Sequence, residues 1–211
     1  MSFLAAASGA KVYSYEPNPL VFQGLETNAV LNQNLGVPIQ IFNKAVSRNS
    51  GTLELEAKHS NQVLSPIVFT HWQDKSTVEV VALTEILKSF DAEFGKEFRT
   101  VIKIDIEGAE WEILRDLRTL EELKSNQSVL ILALHPGLHR PPNNISSIIG
   151  RLSFYLWNLH NIVDSWLLFK RVSSYCSIYR TNLNPVKRPL KFCLLVLAGN
   201  HEYVFSFRKE L

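Results

Sequence analysis

Apolar and polar residues are arranged along the chain in short blocks. The spacing of the apolar residues within each block predicts a strand or a helix, and the two kinds of element alternate. Alternating or continuous apolar blocks predict strands, and blocks with an apolar residue every three or four positions predict helices. The predicted strands cover residues 11–17, 38–47, 52–57, 77–83, 101–106 and 128–136, and the predicted helices cover residues 3–8, 19–35, 85–90, 109–123 and about 144–159. The segments 166–172, 191–199 and 203–208 are also predicted to be rich in strands.

The alternation of strands and helices predicts an open α/β sheet. In such sheets, ligands bind beyond the carboxyl ends of the strands. Two predicted strands carry acids at that end: Glu16 follows VYSY, and Asp105 and Glu107 follow VIKI. We therefore expect the carboxylates of Glu16 and Asp105 to meet at one edge of the sheet.

The helix predicted at residues 19–35 is amphipathic, and Pro19 suits its first turn. We expect one broad apolar stripe on it, to which Leu20, Leu25, Val30 and Leu31 contribute.

Glu16 stands one residue beyond an apolar strand and directly before Pro17. A carboxylate in this position can accept hydrogen bonds from the 2′- and 3′-hydroxyl groups of a ribose, as in dinucleotide-binding folds. Alternatively, Glu16 is a surface acid that caps the next helix. Asn18 can provide that cap instead, which frees Glu16 from it, and the two roles of Glu16 stay open.

Asp105 and Glu107 are two residues apart and share a face while the chain remains extended. Two neighbouring acids can bind a cationic group, hold a divalent metal or deprotonate a hydroxyl. For Asp105, inside the apolar run, we favour such a functional role. For Glu110 and Glu112 we favour a structural role at the N-terminus of the following helix, a role also open to Glu107.

His135 follows the apolar strand LILALHP and can reach the same edge, where it would act as a base or orient an acceptor. A structural histidine is the alternative. His139 completes an H-x-x-x-H spacing, but Pro136, Pro141 and Pro142 disfavour the helix that a zinc site of this kind needs. We predict no metal.

The chain has 211 residues, which suits a single domain over residues 1–211. Its net charge of +2 gives no reason to expect nucleic acid as a partner, and without an apolar run of about 18 residues we expect no membrane partner. Two cysteines without a metal or redox motif predict reduced thiols and a cytoplasmic location.

The basic run 187-KRPLK-191 is interpreted as a solvated turn, with a phosphate-bearing partner as the alternative. Three tryptophans are interpreted as core or interface residues: Trp111, Trp157 and Trp166.

Two motifs together, 12-VYSYEPNP-19 and 102-IKIDIEGAEWEIL-114, resemble the FkbM-type methyltransferase family. The stretches 28-NAVLN-32, 43-NKAVSRNSGTLEL-55, 80-VVALTEIL-87 and 130-LILALHPG-137 are also similar to segments of that family. The resemblance covers roughly residues 5–160. Thr84 stands where the family has an aspartate, and Ala133 stands where an acid is common.

The resemblance implies a class I methyltransferase (Rossmann-like) fold, with a seven-stranded sheet whose last hairpin is reversed. It implies S-adenosylmethionine as cofactor and methyl transfer to a hydroxyl oxygen of a small metabolite, sugar or polyketide. The residues that it implies for the cofactor are Glu16 at the ribose, Pro17 and Asn18 in the adjacent loop, Asn43 and Ala45 at the adenine, and Asp105 and Glu107 at the methionine or the acceptor. Asp105 and His135 are the candidate catalytic residues.

The family pattern also has a first strand and a glycine-rich turn, and neither precedes VYSYEP here. We therefore expect a sheet that lacks its first strand, limited stability and weak binding of S-adenosylmethionine. A non-catalytic, methyltransferase-like binding or scaffold protein is the main alternative, and a nucleotide-binding dehydrogenase is a third interpretation.

Overall fold

The computed structural model describes residues 2–33, 39–56, 75–95, 98–106, 110–134, 148–197 and 202–208. The chain divides into two compact units between Leu83 and Thr84. The first unit contains α1 (Ser2–Ala7), β1 (Val12–Tyr15), α2 (Pro19–Leu31), β2 (Ile39–Phe42), β3 (Lys44–Ser47), β4 (Gly51–Glu56) and β5 (Lys75–Ala82). After α3 (Leu83–Phe94), the second contains β6 (Val101–Ile104), α4 (Glu110–Arg115), α5 (Leu117–Ser125), β7 (Val129–Ala133), α6 (Ile148–Val172), β8 (Ser177–Arg180), α7 (Pro189–Leu197) and β9 (Glu202–Ser206).

The described strands of the first unit form two small sheets. In one, β1 and β2 pair in parallel, with Val12 opposite Ile39 and Tyr15 opposite Phe42. In the other, β5 lies between β3, which is parallel to it, and β4, which is antiparallel. The single strand predicted at residues 38–47 is therefore two strands in two sheets, interrupted at Asn43.

The second unit is built on a four-stranded sheet in the order β6-β7-β9-β8. Strands β6 and β7 are parallel, whereas β9 runs antiparallel to both of its neighbours. The apolar run predicted at residues 128–136 contains β7, whose Leu130 and Leu132 are fully buried. The described strands form three sheets, so the expected single seven-stranded sheet is not found among them.

Aromatic rings form much of the core of the second unit. The ring of Phe192 in α7 lies 5.5 Å from that of Phe169 in α6 and 5.0 Å from that of Tyr203 in β9. Tyr203 in turn meets Phe205 edge to face. Burying each of these side chains contributes about 1.5–3 kcal/mol, so the rings hold α6 and α7 on one face of the sheet.

Two segments predicted as strands are helical. Residues 166–172 continue α6, and residues 191–197 belong to α7. In α7 the buried residues Phe192, Cys193 and Val196 recur every three or four positions, which is the period of a helix packed on one side. A short, wholly apolar run does not distinguish a helix from a buried strand, which explains these two wrong predictions.

The predicted apolar stripe of α2 is also wrong. Leu20, Val30 and Leu31 are exposed, and α2 contains no fully buried residue. At about 100° per residue, these positions and Leu25 spread around more than half of the helix instead of sharing one stripe. The partly buried side consists instead of Val21, Phe22, Leu25 and Ala29.

None of the helices in the described part of the chain combines the length and the apolar composition needed to cross a bilayer.

Candidate functional site

The carboxyl ends of β1 and β2 lie side by side because the two strands are parallel. The Glu16 backbone N–H donates to the Phe42 carbonyl oxygen at 3.0 Å, which extends the pairing one residue beyond β1. The rings of Tyr15 and Phe42 stack with centroids 4.8 Å apart. Glu16 is therefore fixed at this edge of the sheet by its backbone and by the packing of the residue before it.

Four of the predicted site residues form one hydrogen-bonded group, here called the β1 cluster: Glu16, Pro17, Asn18 and Asn43. The Asn18 backbone N–H donates to Glu16 Oε1 at 2.8 Å. The Asn43 side-chain Nδ2 donates to the carbonyl oxygens of Glu16, at 2.8 Å, and Pro17, at 3.2 Å. Asn43 lies between β2 and β3, so its side chain ties the connection of these two strands to the loop after β1.

Asn18 also begins α2. Its side-chain Oδ1 accepts from the backbone N–H of Leu20 at 3.0 Å and of Val21 at 3.5 Å, and Pro19 follows as the first helical residue. Asn18 is buried, so this cap is shielded from water. Since Asn18 is the N-cap, as the sequence indicated, Glu16 is not needed for that role.

The Glu16 side chain is half-buried. Burial raises the pKa of its carboxyl above the ordinary value, and the hydrogen bond from the Asn18 backbone amide lowers it in part. Among the described residues that amide is the one hydrogen-bond donor to the carboxyl group. The group is thus held in place through one oxygen and retains acceptor capacity for a ligand, which fits a vicinal diol such as that of a ribose.

Ala45, also predicted to bind the cofactor, lies in β3 opposite Val80 of β5 and is only 1% exposed. Its methyl group packs inside the protein. Its assignment to the adenine stays a prediction.

Asp105 directly follows β6, as predicted, but the expected apolar surroundings end one residue earlier. Ile104 is buried, whereas the Asp105 side chain is 46% exposed. Lys103 Nζ lies 3.1 Å from Asp105 Oδ2. Because solvent and an ammonium group both stabilise this carboxylate, Asp105 does not bear the cost of a buried acid.

Of the acids described near the end of β6, Glu110, the first residue of α4, is fully buried. Its Oε1 accepts from the Ile106 backbone N–H at 2.8 Å. Glu110 therefore binds the backbone just after β6. The role is structural, as favoured from the sequence, but the partner shown is Ile106, which precedes the helix, and not an amide of the helix N-terminus. Glu112 is exposed on the same helix.

Two predicted site residues, Glu107 and His135, lie outside the described residues, as does the His139 spacing considered for zinc. Glu16 belongs to the first unit and Asp105 to the second, so their convergence at one edge stays a prediction. Within the described ranges, no group of three or more His, Cys, Asp and Glu side chains is arranged to hold a metal ion.

The stacked pair of Tyr15 and Phe42 was not among the residues predicted for the site. The signal that could have identified it is positional. Each aromatic residue ends a strand, and the ends of adjacent parallel strands lie together.

These features define a mixed α/β protein with a hydrogen-bonded acid at the carboxyl end of a parallel strand pair. The family model for the methyltransferase FkbM domain matches residues 1–167. The chain therefore belongs to the FkbM-type methyltransferase family, as its two long motifs indicated. A search of curated proteins found no match, and a search of solved structures found none either.

Proposed function

We propose that the protein is an S-adenosylmethionine-dependent methyltransferase that acts on a hydroxyl oxygen of a small metabolite, a sugar or a polyketide. Membership of the FkbM family supports the reaction class. The observation that carries the cofactor assignment is the Glu16 carboxyl, fixed by the Asn18 amide at the end of β1. We further propose a cytosolic location, which the free cysteines Cys176 and Cys193 support.

A class I sheet is part of this proposal. The order β6-β7-β9-β8, in which an antiparallel β9 separates β7 from β8, supports it because the family resemblance implies a reversed last hairpin. The parallel pair β1–β2 supports it in the first unit, since Glu16 then stands at a carboxyl strand end.

The residues of the β1 cluster would hold the cofactor. Glu16 accepts hydrogen bonds from the ribose hydroxyls, while Pro17 and Asn18 shape the loop beside them. Asn43 contributes near the adenine together with the backbone around Ala45. Asn43 already joins the loop to the second strand through two hydrogen bonds, which keeps the loop in one conformation before the ligand arrives.

The cofactor, when bound, supplies an electrophilic methyl group, so the protein has to orient the acceptor and exclude water. We assign removal of the acceptor proton to Asp105 or His135, and contact with the methionine or the acceptor to Glu107.

A second candidate function is non-catalytic binding by a methyltransferase-like scaffold. The exposure of Asp105 favours it, because a catalytic base is usually shielded from water when it acts. The scaffold interpretation predicts cofactor or metabolite binding without turnover. The enzyme interpretation predicts binding and turnover.

Transfer of labelled methyl groups from S-adenosylmethionine to a panel of hydroxyl-bearing metabolites distinguishes the two functions. We expect turnover, and we expect Asp105→Asn to reduce it by about 100-fold or more, within the range of general-base effects. Asp91→Asn, in α3, is the matched control and should leave turnover unchanged. If Asp105→Asn left turnover unaffected, the assignment of Asp105 would fail. Cofactor binding without turnover on any acceptor would favour the scaffold.

A further inference from the structure

Helices α6 and α7 pack against each other and present an apolar surface to solvent. The residues of this surface, here called the α6–α7 face, are each at least 39% exposed: Leu159, Val163, Trp166, Leu167, Leu190 and Leu194. On α6 they recur every three or four residues and so share one side of the helix. The outward side of a helix in a globular protein is normally polar, so this face is unusual.

An open groove lies between the two helices within the face. Val163 and Trp166 line it from α6, and Leu190 lines it from α7, with Arg188 at the start of α7. The groove and the exposed leucines beside it form one continuous apolar surface on the second unit.

Cations border this face. Lys170 Nζ lies 4.0 Å from the centroid of the Trp166 ring, and Arg188 contributes to the groove itself. Lys187 and Lys191 are exposed on either side of Arg188. Between residues 156 and 197 the chain has six Lys or Arg and one acid, Asp164, a local charge of +5 where the whole chain carries +2.

The single acid of this segment does not offset the cations at the face. Asp164 Oδ2 lies 2.9 Å from Arg115 Nη2 and 3.2 Å from His160 Nε2. Its charge is therefore directed to partners on α4 and on the first half of α6. The border of the α6–α7 face keeps a net positive charge.

We propose that the α6–α7 face docks on an anionic lipid surface, with its leucines and Trp166 in the interfacial layer and Lys170, Lys187, Arg188 and Lys191 on the headgroups. Exposed apolar side chains bordered by cations are the combination that binds such surfaces without crossing them. A lysine over a tryptophan ring suits the boundary between acyl chains and headgroups. The proposal departs from the sequence-based expectation of no membrane partner and is independent of methyl transfer.

A second copy of the chain fits this face less well. A symmetric dimer through it would place the basic borders of two copies against each other, and like charges across an interface oppose association. An anionic bilayer complements the same cations. The basic run 187-KRPLK-191 thereby gains a phosphate-bearing partner, the alternative that its sequence left open.

Co-sedimentation of the full chain with vesicles tests the proposal. We expect binding to vesicles of phosphatidylcholine with phosphatidylserine, little binding to phosphatidylcholine alone, and weaker binding as the salt concentration rises. Equal binding to both kinds of vesicle, or to neither, would overturn the proposal.

Paired variants test which residues act. Lys187→Gln with Arg188→Gln should weaken binding by about 25-fold, from about fivefold per cation at the surface. Leu190→Gln with Leu194→Gln should weaken it at least about tenfold, because less apolar surface is buried. The matched controls are Lys88→Gln and Leu117→Gln, which change an exposed cation on α3 and an exposed leucine on α5. Vesicle binding that both pairs retained would contradict the proposal.

Quenching of Trp166 fluorescence by brominated acyl chains keeps the test decisive if a paired variant fails to fold. The intact chain should be quenched on anionic vesicles, and Trp166→Phe should lose most of that quenching. Absence of quenching in the intact chain would overturn the proposal. The proposal would also be overturned if the chain bound no vesicles and light scattering showed a dimer that the leucine variants disrupted. Binding to an acidic peptide alone, disrupted by the same variants and without any binding to vesicles, would overturn it too.

Discussion

The two acids that follow parallel strands, Glu16 after β1 and Asp105 after β6, have opposite environments. Glu16 is half-buried, accepts from a backbone amide and belongs to a hydrogen-bonded cluster. Asp105 is exposed and pairs with a neighbouring lysine. Each acid directly follows the last residue of a strand, so the side chains and backbone groups around it decide what its carboxyl group does. After β6, the buried anchor is Glu110 and not the acid at the strand end.

The largest expected effect concerns this anchor. Glu110→Ala should lower the free energy of unfolding by about 3 kcal/mol, because the part-buried Ile106 amide loses its acceptor and the fully buried Glu110 side chain leaves a cavity. Glu110→Gln keeps an acceptor oxygen and should cost less. Urea denaturation measures both.

Glu112→Ala is the control for Glu110, since Glu112 is exposed on the same helix. It should change the free energy of unfolding by about 0.5 kcal/mol or less. If Glu110→Ala and Glu112→Ala cost the same, then Glu110 is not the anchor of the β6 end.

Removing the cap of α2 tests the β1 cluster. Asn18→Ala should cost about 1 kcal/mol of stability, because the Leu20 and Val21 amides lose the Oδ1 acceptor. Asn18→Asp keeps an acceptor and should restore much of the loss in thermal unfolding. Equal losses for the two variants would argue against the capping role.

Asn43→Ala should have a smaller effect on stability, about 0.5–1 kcal/mol, since Asn43 is exposed and its two bonds compete with water. It should weaken cofactor binding more than it weakens folding, because the loop of Glu16 and Pro17 loses its tie to the second strand. Gln40→Ala, an exposed change on β2, is the control. Equal cofactor affinities for the two variants would contradict this role of Asn43.

The smallest expected effect is the pH dependence of stability that Glu16 contributes. Its pKa in the folded chain is raised by burial above the ordinary value of 4.5. The folded chain therefore binds this proton more tightly than the unfolded chain. The stabilising contribution is present below pH 4.5 and is lost as the pH rises through the raised pKa.

Glu16→Gln removes this titration. The free energy of unfolding of the natural chain minus that of Glu16→Gln should fall as the pH rises from about 4 to 7. Chemical denaturation over that range measures the difference. A difference that stayed constant or increased would contradict the burial assigned to Glu16.

Much of this contrast could be predicted, and part of it could not. The pattern located both strand ends, the cap at Asn18 and the structural role of Glu110, because capping and strand termination are local properties of the chain. Burial is not local. The exposure of Asp105 depends on the residues packed around it, which periodicity does not identify.

The fold predictions separate in the same way. The strands 12–15, 101–104, 129–133 and 202–206 lie where alternating or continuous apolar residues predicted them. The wrong predictions at residues 166–172 and 191–197 fall on apolar runs that suit a buried strand and a packed helix equally. Contacts between distant residues, such as Phe192 with Tyr203, decide those cases.

The central claim is that Glu16 holds the ribose of an adenosyl cofactor, and a titration of the labelled chain with S-adenosylmethionine followed by NMR tests it most directly. Weak, saturable binding should perturb the β1 cluster, and Glu16→Gln should weaken it by roughly tenfold or more, since hydrogen bonds to a charged acceptor are lost. Glu26→Gln, an exposed change on α2, should bind like the natural chain. Equal affinities for the natural chain and Glu16→Gln would contradict the account.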